Sequence, residues 1–344
     1  MDHPPPPLRM TDPGFEAALR HRIDSKTKPL GALGRIEDLA AAIARTQRTL
    51  TPRMERCQLT IFAGDHGLAR EGVSAYPQEV TRQMLLTFLA GNAAANVFAR
   101  TTGAALRLVD AGVAGPPISH PDLLSRRLGD GTANALSAPA MSREICERAL
   151  ALGRALGEDG AWDAVAFGEM GIANTSAAAL VAHKAAGLPL ASLVGRGTGL
   201  GDPGLARKRA VLARAAARTP PRLAPAEALA EFGGFEMAMM AGAMLGAAAA
   251  RRVVLVDGFI AGAVALVATR IEPAAREALV FAHRSAEAGH AAVLGELGAL
   301  PLLDLGMRLG EGTGALLAWP LVRAAAAMLS EMASFESAGI SGPA

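Results

Sequence analysis

Leu59-Thr-Ile-Phe-Ala-Gly-Asp-His-Gly67 is the stretch that decides the fold, because a short apolar run stops there at a polar turn bounded by glycines. Four more apolar runs stop in a similar way at a glycine, an acid or a histidine; they cover residues 106–110, 164–168, 253–257 and 278–282. Longer Ala- and Leu-rich stretches, typical of helices, separate these runs. Strands that alternate with helices predict βαβ units, so we expect an α/β fold with a mostly parallel sheet flanked by helices.

Polar residues and glycines follow each predicted strand. Gly64-Asp-His-Gly67 follows the first strand, Glu169-Met-Gly171 the third and Gly258-Phe259 the fourth. In parallel sheets of this kind the ligand binds beyond the carboxyl ends of the strands. The sequence therefore predicts an active site at that edge.

The composition excludes several classes of protein. The chain has 344 residues, 51% hydrophobic, with a net charge of +2 and only 4% aromatic residues, so no strong field or stacking platform is available for nucleic acid. The longest apolar run, residues 237–250, is shorter than the roughly 20 residues that span a bilayer. The proline-rich start has no signal-peptide pattern, and we expect it to be unstructured. We expect a cytoplasmic protein that binds neither nucleic acid nor membrane, with Cys57 and Cys146 as buried thiols.

The two ends of the chain have a different pattern from the centre. Residues 15–48 predict a helical hairpin, whose second helix places Ile36, Leu39, Ala40 and Ile43 on one face. Residues 315–335 are again typical of a helix. We expect residues 1–51 and 306–344 to pack together as a small helical domain beside an α/β domain of residues 52–305.

Two glycine-rich segments are candidate phosphate sites. Gly195-Arg-Gly-Thr-Gly199 has the composition of a backbone anion nest, and Lys208 follows on the next predicted helix. A tight turn and a solvated lysine explain the same residues equally well. Residues 168–176 join a strand to a helix, with Thr175 and Ser176 as candidate N-caps. Phosphate or ribose binding is one interpretation of that segment, and a capped helix with an exposed acid is the other.

Tyr76, the only tyrosine, follows Ser74 in a turn, and Gln83 and Met84 come next at helical spacing. An apolar wall with polar tips suits a flat ring ligand, whereas periodicity alone favours a core-facing helix. Asp65 is interpreted as a structural residue that holds His66 and its loop, because no histidine pair has metal-ligand spacing.

Glu311 lies between glycines in Arg308-Leu-Gly-Glu-Gly-Thr-Gly314, and the glycines predict that a helix starts after them. A carboxyl group near apolar surroundings has a raised pKa and serves as a general base. The alternative is a helix-start acid that the helix dipole stabilises. Spacing alone does not decide between them.

Taken together, the motifs resemble one family closely: nicotinate-nucleotide:dimethylbenzimidazole phosphoribosyltransferase. The resemblance runs in order over about residues 15–340, and the strings that carry it are Lys28-Pro-Leu-Gly-Ala-Leu-Gly34, Phe62-Ala-Gly-Asp-His-Gly67, Glu71-Gly-Val-Ser-Ala-Tyr-Pro77, Gly168-Glu-Met-Gly-Ile172, Gly195-Arg-Gly-Thr-Gly-Leu200, Val256-Asp-Gly-Phe-Ile260 and Leu303-Asp-Leu-Gly-Met-Arg-Leu-Gly-Glu-Gly-Thr-Gly314. It implies a Rossmann-like sheet with a small helical domain from both termini, a homodimer, and no metal or organic cofactor.

The resemblance also implies a reaction: ribose 5-phosphate moves from nicotinate mononucleotide to 5,6-dimethylbenzimidazole. Glu311 would be the base, whereas the phosphate and ribose would contact Glu169, Gly171, Gly197, Thr198, Gly199 and Lys208, and the benzimidazole would contact Ser74, Tyr76, Gln83 and Met84. The chain departs from the family pattern at Thr87, Asn92, Ala173 and Gly201. Transfer to adenine, another benzimidazole or a phenol stays an alternative, as does a non-catalytic nucleotide sensor.

Overall fold

The structure, a computed structural model, describes residues 12–341. The proline-rich start, for which no regular structure is expected, lies outside the described residues. The strands of the described chain are β1 (Cys57–Gly64), β2 (Ala105–Gly112), β3 (Leu123–Ser125), β4 (Ala164–Met170), β5 (Val253–Val256) and β6 (Leu279–Phe281). Its helices are α1 (Pro13–Asp24), α2 (Arg35–Gln47), α3 (Val80–Leu89), α4 (Ala94–Thr102), α5 (Arg143–Glu158), α6 (Asn174–Ala186), α7 (Leu190–Leu193), α8 (Asp202–Ala217), α9 (Pro225–Phe232), α10 (Phe235–Ala249), α11 (Phe259–Ile271), α12 (His290–Glu296), α13 (Thr313–Glu331) and α14 (Phe335–Ala338).

The six strands form one sheet in the order β3-β2-β1-β4-β5-β6, and every neighbouring pair is parallel. This confirms the predicted α/β class. Outward from the centre of the sheet, the strands follow the chain order β1, β2, β3 to one side and β4, β5, β6 to the other. The gap between β1 and β4 is therefore the topological switch point. Five strands correspond to the predicted runs; β3 was missed, since three residues carry too little periodicity to stand out.

Each face of the sheet is covered by helices. Helices α5, α6, α10 and α11 cover one face, and α10 is buried along most of its length, as predicted for its apolar run. The other face is covered by α2, α3, α4 and α13. The core therefore has two layers, one on either side of the strands.

The helices near both ends of the chain lie together on the second face. The Lys26 amine donates to the Met332 carbonyl, and the Ser330 hydroxyl donates to the Pro52 carbonyl at 2.7 Å. Their apolar side chains form one cluster with that face of the sheet. The division into two domains with boundaries near residues 51 and 306 stays a prediction.

Helix α13 is long and apolar enough to cross a membrane by length and composition, but 56% of its apolar window is buried in the protein. Leu316 and Trp319 point into the core. The helix also contains Pro320, whose position is exposed. We interpret α13 as a core helix.

Candidate active site

The Glu311 loop joins α12 to α13 and crosses the carboxyl edge of the sheet, where it lies against Gly168 of β4. Gly310, Glu311 and Gly312 have φ values of 85°, 62° and 81°, so three successive residues adopt the left-handed conformation. Two of them are glycines, for which this conformation carries no steric penalty, but for a glutamate it costs on the order of 1 kcal/mol. A side chain at Gly310 would also clash with the Glu169 carboxylate. Helix α13 begins at Thr313, as the flanking glycines predict.

The Glu311 side chain is 5% exposed, and its Oε2 accepts the Ala95 N–H at 3.3 Å, in the first turn of α4. A helix start thus stabilises this acid, but it is the start of α4 and not of the helix that follows it in the chain. Burial raises the pKa of the Glu311 carboxyl; the Ala95 hydrogen bond opposes that rise and the negative charge of Asp257 adds to it. The result is a buried carboxylate whose proton affinity is above normal.

Glu169 lies near the carboxyl end of β4 and is 6% exposed. Its carboxylate accepts hydrogen bonds from the Asn174 side chain and from the Glu311 backbone N–H. Burial raises its pKa well above the usual range, and the charges of Asp257, Glu236 and Glu311 raise it further. The alternative of an exposed acid after β4 was wrong. Two buried acids, Glu169 and Glu311, therefore meet beside the switch point.

Lys208 and Thr175 form a second polar group under the glycine-rich loop. Lys208 is 1% exposed, and its amine donates to the Thr175 hydroxyl at 2.9 Å. A Cβ atom at Gly197 would lie 2.9 Å from the Thr175 hydroxyl and 3.2 Å from that amine, so a side chain there would crowd both polar groups. Burial lowers the pKa of Lys208 to about 8, and Glu287 opposes the fall. The solvated-lysine interpretation was wrong.

Thr175 is not the N-cap of α6, contrary to the sequence interpretation. The helix begins at Asn174, and Ala173 stands at the cap position with φ 80°. A glycine would fit that backbone better than alanine, because it has no Cβ atom. Because Thr175 lies inside the first turn, its hydroxyl is directed to Lys208 instead.

The remaining glycines of the predicted phosphate site fall into two places. Gly199 belongs to the loop above Lys208 and has open space around its Cα. Gly171 packs against the Gly64 carbonyl at the end of β1, where any side chain would clash. The structure thus gives Gly171 a packing role at the switch point and does not place it beside the Lys208 amine.

Thr198 ties the glycine-rich loop to the turn that contains Tyr76. Its hydroxyl lies 2.9 Å from the Ser74 hydroxyl and accepts the Ala75 N–H at 3.0 Å. Tyr76 is 54% exposed. Ser74 is half-buried and adjoins the loop whose Gly197 lies over the Lys208 amine, so the predicted ring pocket and phosphate site are neighbours.

The two sides of helix α3 differ in burial. Leu85 and Phe88 are buried in the core, Met84 is half-buried against it, and Gln83 is exposed. The core-facing interpretation therefore holds for one side of the helix. A role for Gln83 and Met84 in binding a flat ring stays a prediction.

A cavity of about 450 Å³ opens beside the glycine-rich loop. Its polar wall includes Arg196, Arg209, Glu287 and Arg308. Arg308 donates to the Gly197 carbonyl at 2.9 Å, which connects the glycine-rich loop to the segment that carries Glu311. The cavity has the charge and size to admit an anionic ligand.

Sequence reasoning missed two buried acids near the site. Glu236, in the first turn of α10, lies 2.7 Å from the His66 Nε2, and no local pattern distinguishes it from any other helix-start glutamate. Asp257 directly follows β5, so its place after a strand was visible but its partners were not. Asp65 accepts the Ala114 N–H at 2.8 Å, in keeping with its structural interpretation.

Comparison with known proteins gives a consistent result. The sequence model of a family described as phosphoribosyltransferase matches residues 8–340. The nicotinate-nucleotide--dimethylbenzimidazole phosphoribosyltransferase of Dechloromonas aromatica is 54% identical over 341 residues, covering 97% of this chain and 98% of the relative. The enzyme of the same name from Ralstonia nicotianae is 55% identical and covers 96% and 95%. The crystal structure of CobT from Thermus thermophilus superimposes with a TM-score of 0.93 at 46% identity, covering 96% of this chain and all of that one.

Proposed function

Because the chain belongs to the nicotinate-nucleotide:dimethylbenzimidazole phosphoribosyltransferase family, we propose that Glu311 is the general base of that family's reaction. The protein moves ribose 5-phosphate from nicotinate mononucleotide to 5,6-dimethylbenzimidazole. The products are α-ribazole 5′-phosphate and nicotinate, in the synthesis of the lower ligand of cobalamin. One observation carries the assignment: a buried carboxylate on a strained loop at the switch point, beside a second acid.

The chemistry needs a proton acceptor on the benzimidazole side. The glycosidic nitrogen of the donor is cationic, so nicotinate leaves as a neutral pyridine ring while positive charge develops at the anomeric carbon. One ring nitrogen of the benzimidazole attacks that carbon, and the N–H of the other nitrogen becomes acidic. The Glu311 carboxylate accepts this proton, and the raised pKa brings the group nearer the working pH, where a general base is most effective. Attack on the face opposite the leaving group inverts the anomeric centre.

The donor phosphate is assigned to the Lys208 side of the site. The buried Lys208 amine lies directly under the loop at Gly197 and supplies a cation there, which supports anion binding at this place. Thr198 and Gly199 complete that loop. Glu169 is assigned to the ribose, and Gly171 acts with them by keeping the ends of β1 and β4 in close contact.

The flat acceptor ring is assigned to the neighbouring turn and helix, with Ser74, Tyr76, Gln83 and Met84 as its walls. The hydrogen bonds between Thr198 and the Ser74 turn support this placement, because they bring the ring pocket next to the phosphate loop. A cytoplasmic homodimer is part of the same proposal and rests on the family resemblance; sedimentation at several concentrations measures the association.

The direct test mixes the protein with nicotinate mononucleotide and dimethylbenzimidazole and follows ribazole phosphate by chromatography. Adenine and phenol in parallel reactions measure the acceptor range. No product from any acceptor, with folded protein, would overturn the function. Ligand binding without turnover would favour the nucleotide-sensor alternative.

Glu311→Gln tests the base. The amide keeps the shape of the side chain but accepts no proton, so we expect kcat to fall by about 10²–10⁴-fold. The melting temperature should stay near the parent value, because a buried charge is removed and not added. A variant with unchanged kcat would remove Glu311 from this role.

A further inference from the structure

Asp257 is a buried acid next to the Glu311 loop for which the mechanism above has no use. It follows β5 directly and is 3% exposed. Its Oδ1 accepts the Ala315 N–H at 3.0 Å, and the carboxylate also accepts the backbone N–H groups of Gly312 and Gly314. These amides belong to the segment where α13 starts.

The first N–H groups of a helix have no acceptor within the helix and need one from elsewhere. At most helix starts a nearby Ser, Thr or Asp in the sequence supplies it. Here the N-cap residue is Gly312, which has no side chain to do so. Asp257, a residue 58 positions earlier in the chain, takes that function through the tertiary fold.

We propose that Asp257 is a positioning residue for the reaction: its carboxylate fixes the start of α13 and thereby the left-handed backbone that presents Glu311. The inference rests on the proposed role of Glu311. A non-glycine residue with φ 62° persists only where its surroundings hold it. Asp257 holds the loop from its helix side, and the Glu169 carboxylate, bound to the Glu311 N–H, holds it from the other.

The charge of Asp257 acts on Glu311 in addition to its hydrogen bonds. Its negative charge adds to the rise in the pKa of Glu311 that burial causes. The other charged or titratable groups next to this loop include Glu169 on β4, Arg308 in the same segment, and His283 after β6, whose Nε2 lies 3.7 Å from the Asp257 Oδ1. Helix α4 contributes only the Ala95 N–H. Among these groups Asp257 is the one that touches the helix start and also raises the proton affinity of Glu311.

Asp257→Asn removes the charge and leaves one acceptor oxygen where the carboxylate offers two to the three amides at the start of α13. We expect kcat/KM at neutral pH to fall about 10-fold or more, because small displacements of a catalytic group are costly. We also expect the acidic limb of the kcat/KM profile to move to lower pH, since the remaining environment raises the pKa of Glu311 less. The donor and acceptor are the same in both proteins, so their own ionisation cancels in the comparison.

Asp110→Asn is the matched control. Asp110 is a buried acid at the end of β2 and holds its own loop by accepting the Gly112 and Val113 N–H groups. The Asp110→Asn variant should leave the acidic limb of the kcat/KM profile at the same pH as in the parent. Where Asp257→Asn does not fold, Asp257→Ser provides a second neutral helix-cap acceptor for the same measurement.

The outcomes separate the two proposals. If Glu311→Gln loses most of its rate but the acidic limb of the Asp257→Asn profile stays at the same pH as in the parent, the positioning role is overturned and the base assignment stands. An active Glu311→Gln enzyme would overturn the base assignment. A limb that moves in Asp257→Asn but not in Asp110→Asn supports the inference, and equal movement in both variants would contradict it.

Discussion

At the scale of single residues, the site depends on placing charged groups where water cannot reach them. Glu311 and Glu169 are buried acids with raised pKa, whereas Lys208 is a buried amine whose pKa is lowered to about 8. In each case burial disfavours the charged form. A bound anion would restore the stability of the lysine cation, which is the behaviour expected of a phosphate site.

Lys208→Met tests that role. The methionine fills the volume of the lysine stem without a charge, so the phosphate loses a charge-assisted hydrogen bond worth roughly 1.5–3 kcal/mol. We expect the KM for nicotinate mononucleotide to rise about 10- to 100-fold, with a smaller change in the KM for dimethylbenzimidazole. Initial rates with either substrate varied separate the two constants.

Lys184→Met is the control for this substitution. Lys184 is also buried, in α6, but its amine donates to the Thr219 and Pro220 carbonyls and so holds a loop. This variant should lose stability and keep the parent KM. Equal KM values in the Lys208 variant and the parent would contradict a phosphate contact.

At the scale of elements, helices α5 and α10 pack backbone against backbone. Gly153 and Gly157 of α5 lie against the backbone of α10, and Gly242 and Gly246 of α10 lie against the backbone of α5. No side chain fits between the two helices at these four positions. The two helices approach backbone to backbone, and Glu236 lies in the first turn of α10, so their packing also fixes the acid that pairs with His66.

Gly242→Ala should push these helices apart, because the added methyl group overlaps the Leu150 carbonyl. Overpacking of this kind typically lowers the free energy of unfolding by about 1–3 kcal/mol. Urea unfolding followed by circular dichroism measures the loss. Gly295→Ala in α12, where nothing lies within 4 Å, should instead raise stability by about 0.5–1 kcal/mol. Loss of stability in both variants would contradict the packing argument.

At the scale of the whole molecule, one edge of the sheet collects acids from distant parts of the chain. Glu169, Glu236, Asp257 and Glu311 come from two strand ends, a helix start and a loop, and all four are buried. Folding therefore places these carboxyl groups close together away from water, and burial, with the repulsion of the neighbouring charges, raises the pKa of Glu169. A raised folded pKa means that the folded protein holds a proton that the unfolded chain releases.

The raised pKa of Glu169 makes the folded protein less stable as the pH rises. Stability from the protonated Glu169 is complete below the unfolded pKa near 4.5 and is lost as the pH rises through the raised folded value. Relative to the parent, Glu169→Gln should therefore gain stability with rising pH, by at most about 1.4 kcal/mol per pH unit in that window. Urea unfolding of both proteins from pH 4 upward, in steps of about one unit, measures the difference.

Glu144→Gln provides a comparison with the opposite sign. Hydrogen bonds within the first turn of α5, from its own backbone and from Ser142, lower the pKa of the exposed Glu144 carboxyl. Its variant should therefore lose stability relative to the parent as the pH rises from below the lowered folded pKa to the unfolded value near 4.5, so the urea series for this pair starts below pH 4. The same trend in both variants would contradict the assignment of the effect to burial of Glu169.

The sequence by itself determined the local features of this protein. Short apolar runs between Ala-rich stretches predicted the parallel α/β sheet, and the glycines around Glu311 predicted the start of α13. Such features depend on backbone preferences and side-chain periodicity over a few neighbouring residues. The motifs also identified the family, because its short strings occur in the same order along this chain.

Only the tertiary structure decided which of these features meet. Glu311 reaches the start of α4, 216 residues away in sequence, and Lys208 reaches Thr175, 33 residues away. Asp257 caps a helix that is not its neighbour in the chain, and Glu236 has no local signal at all. These contacts depend on the order of strands in the sheet and on how closely helices pack. Those properties arise from the burial of the whole core, which no short stretch of sequence contains.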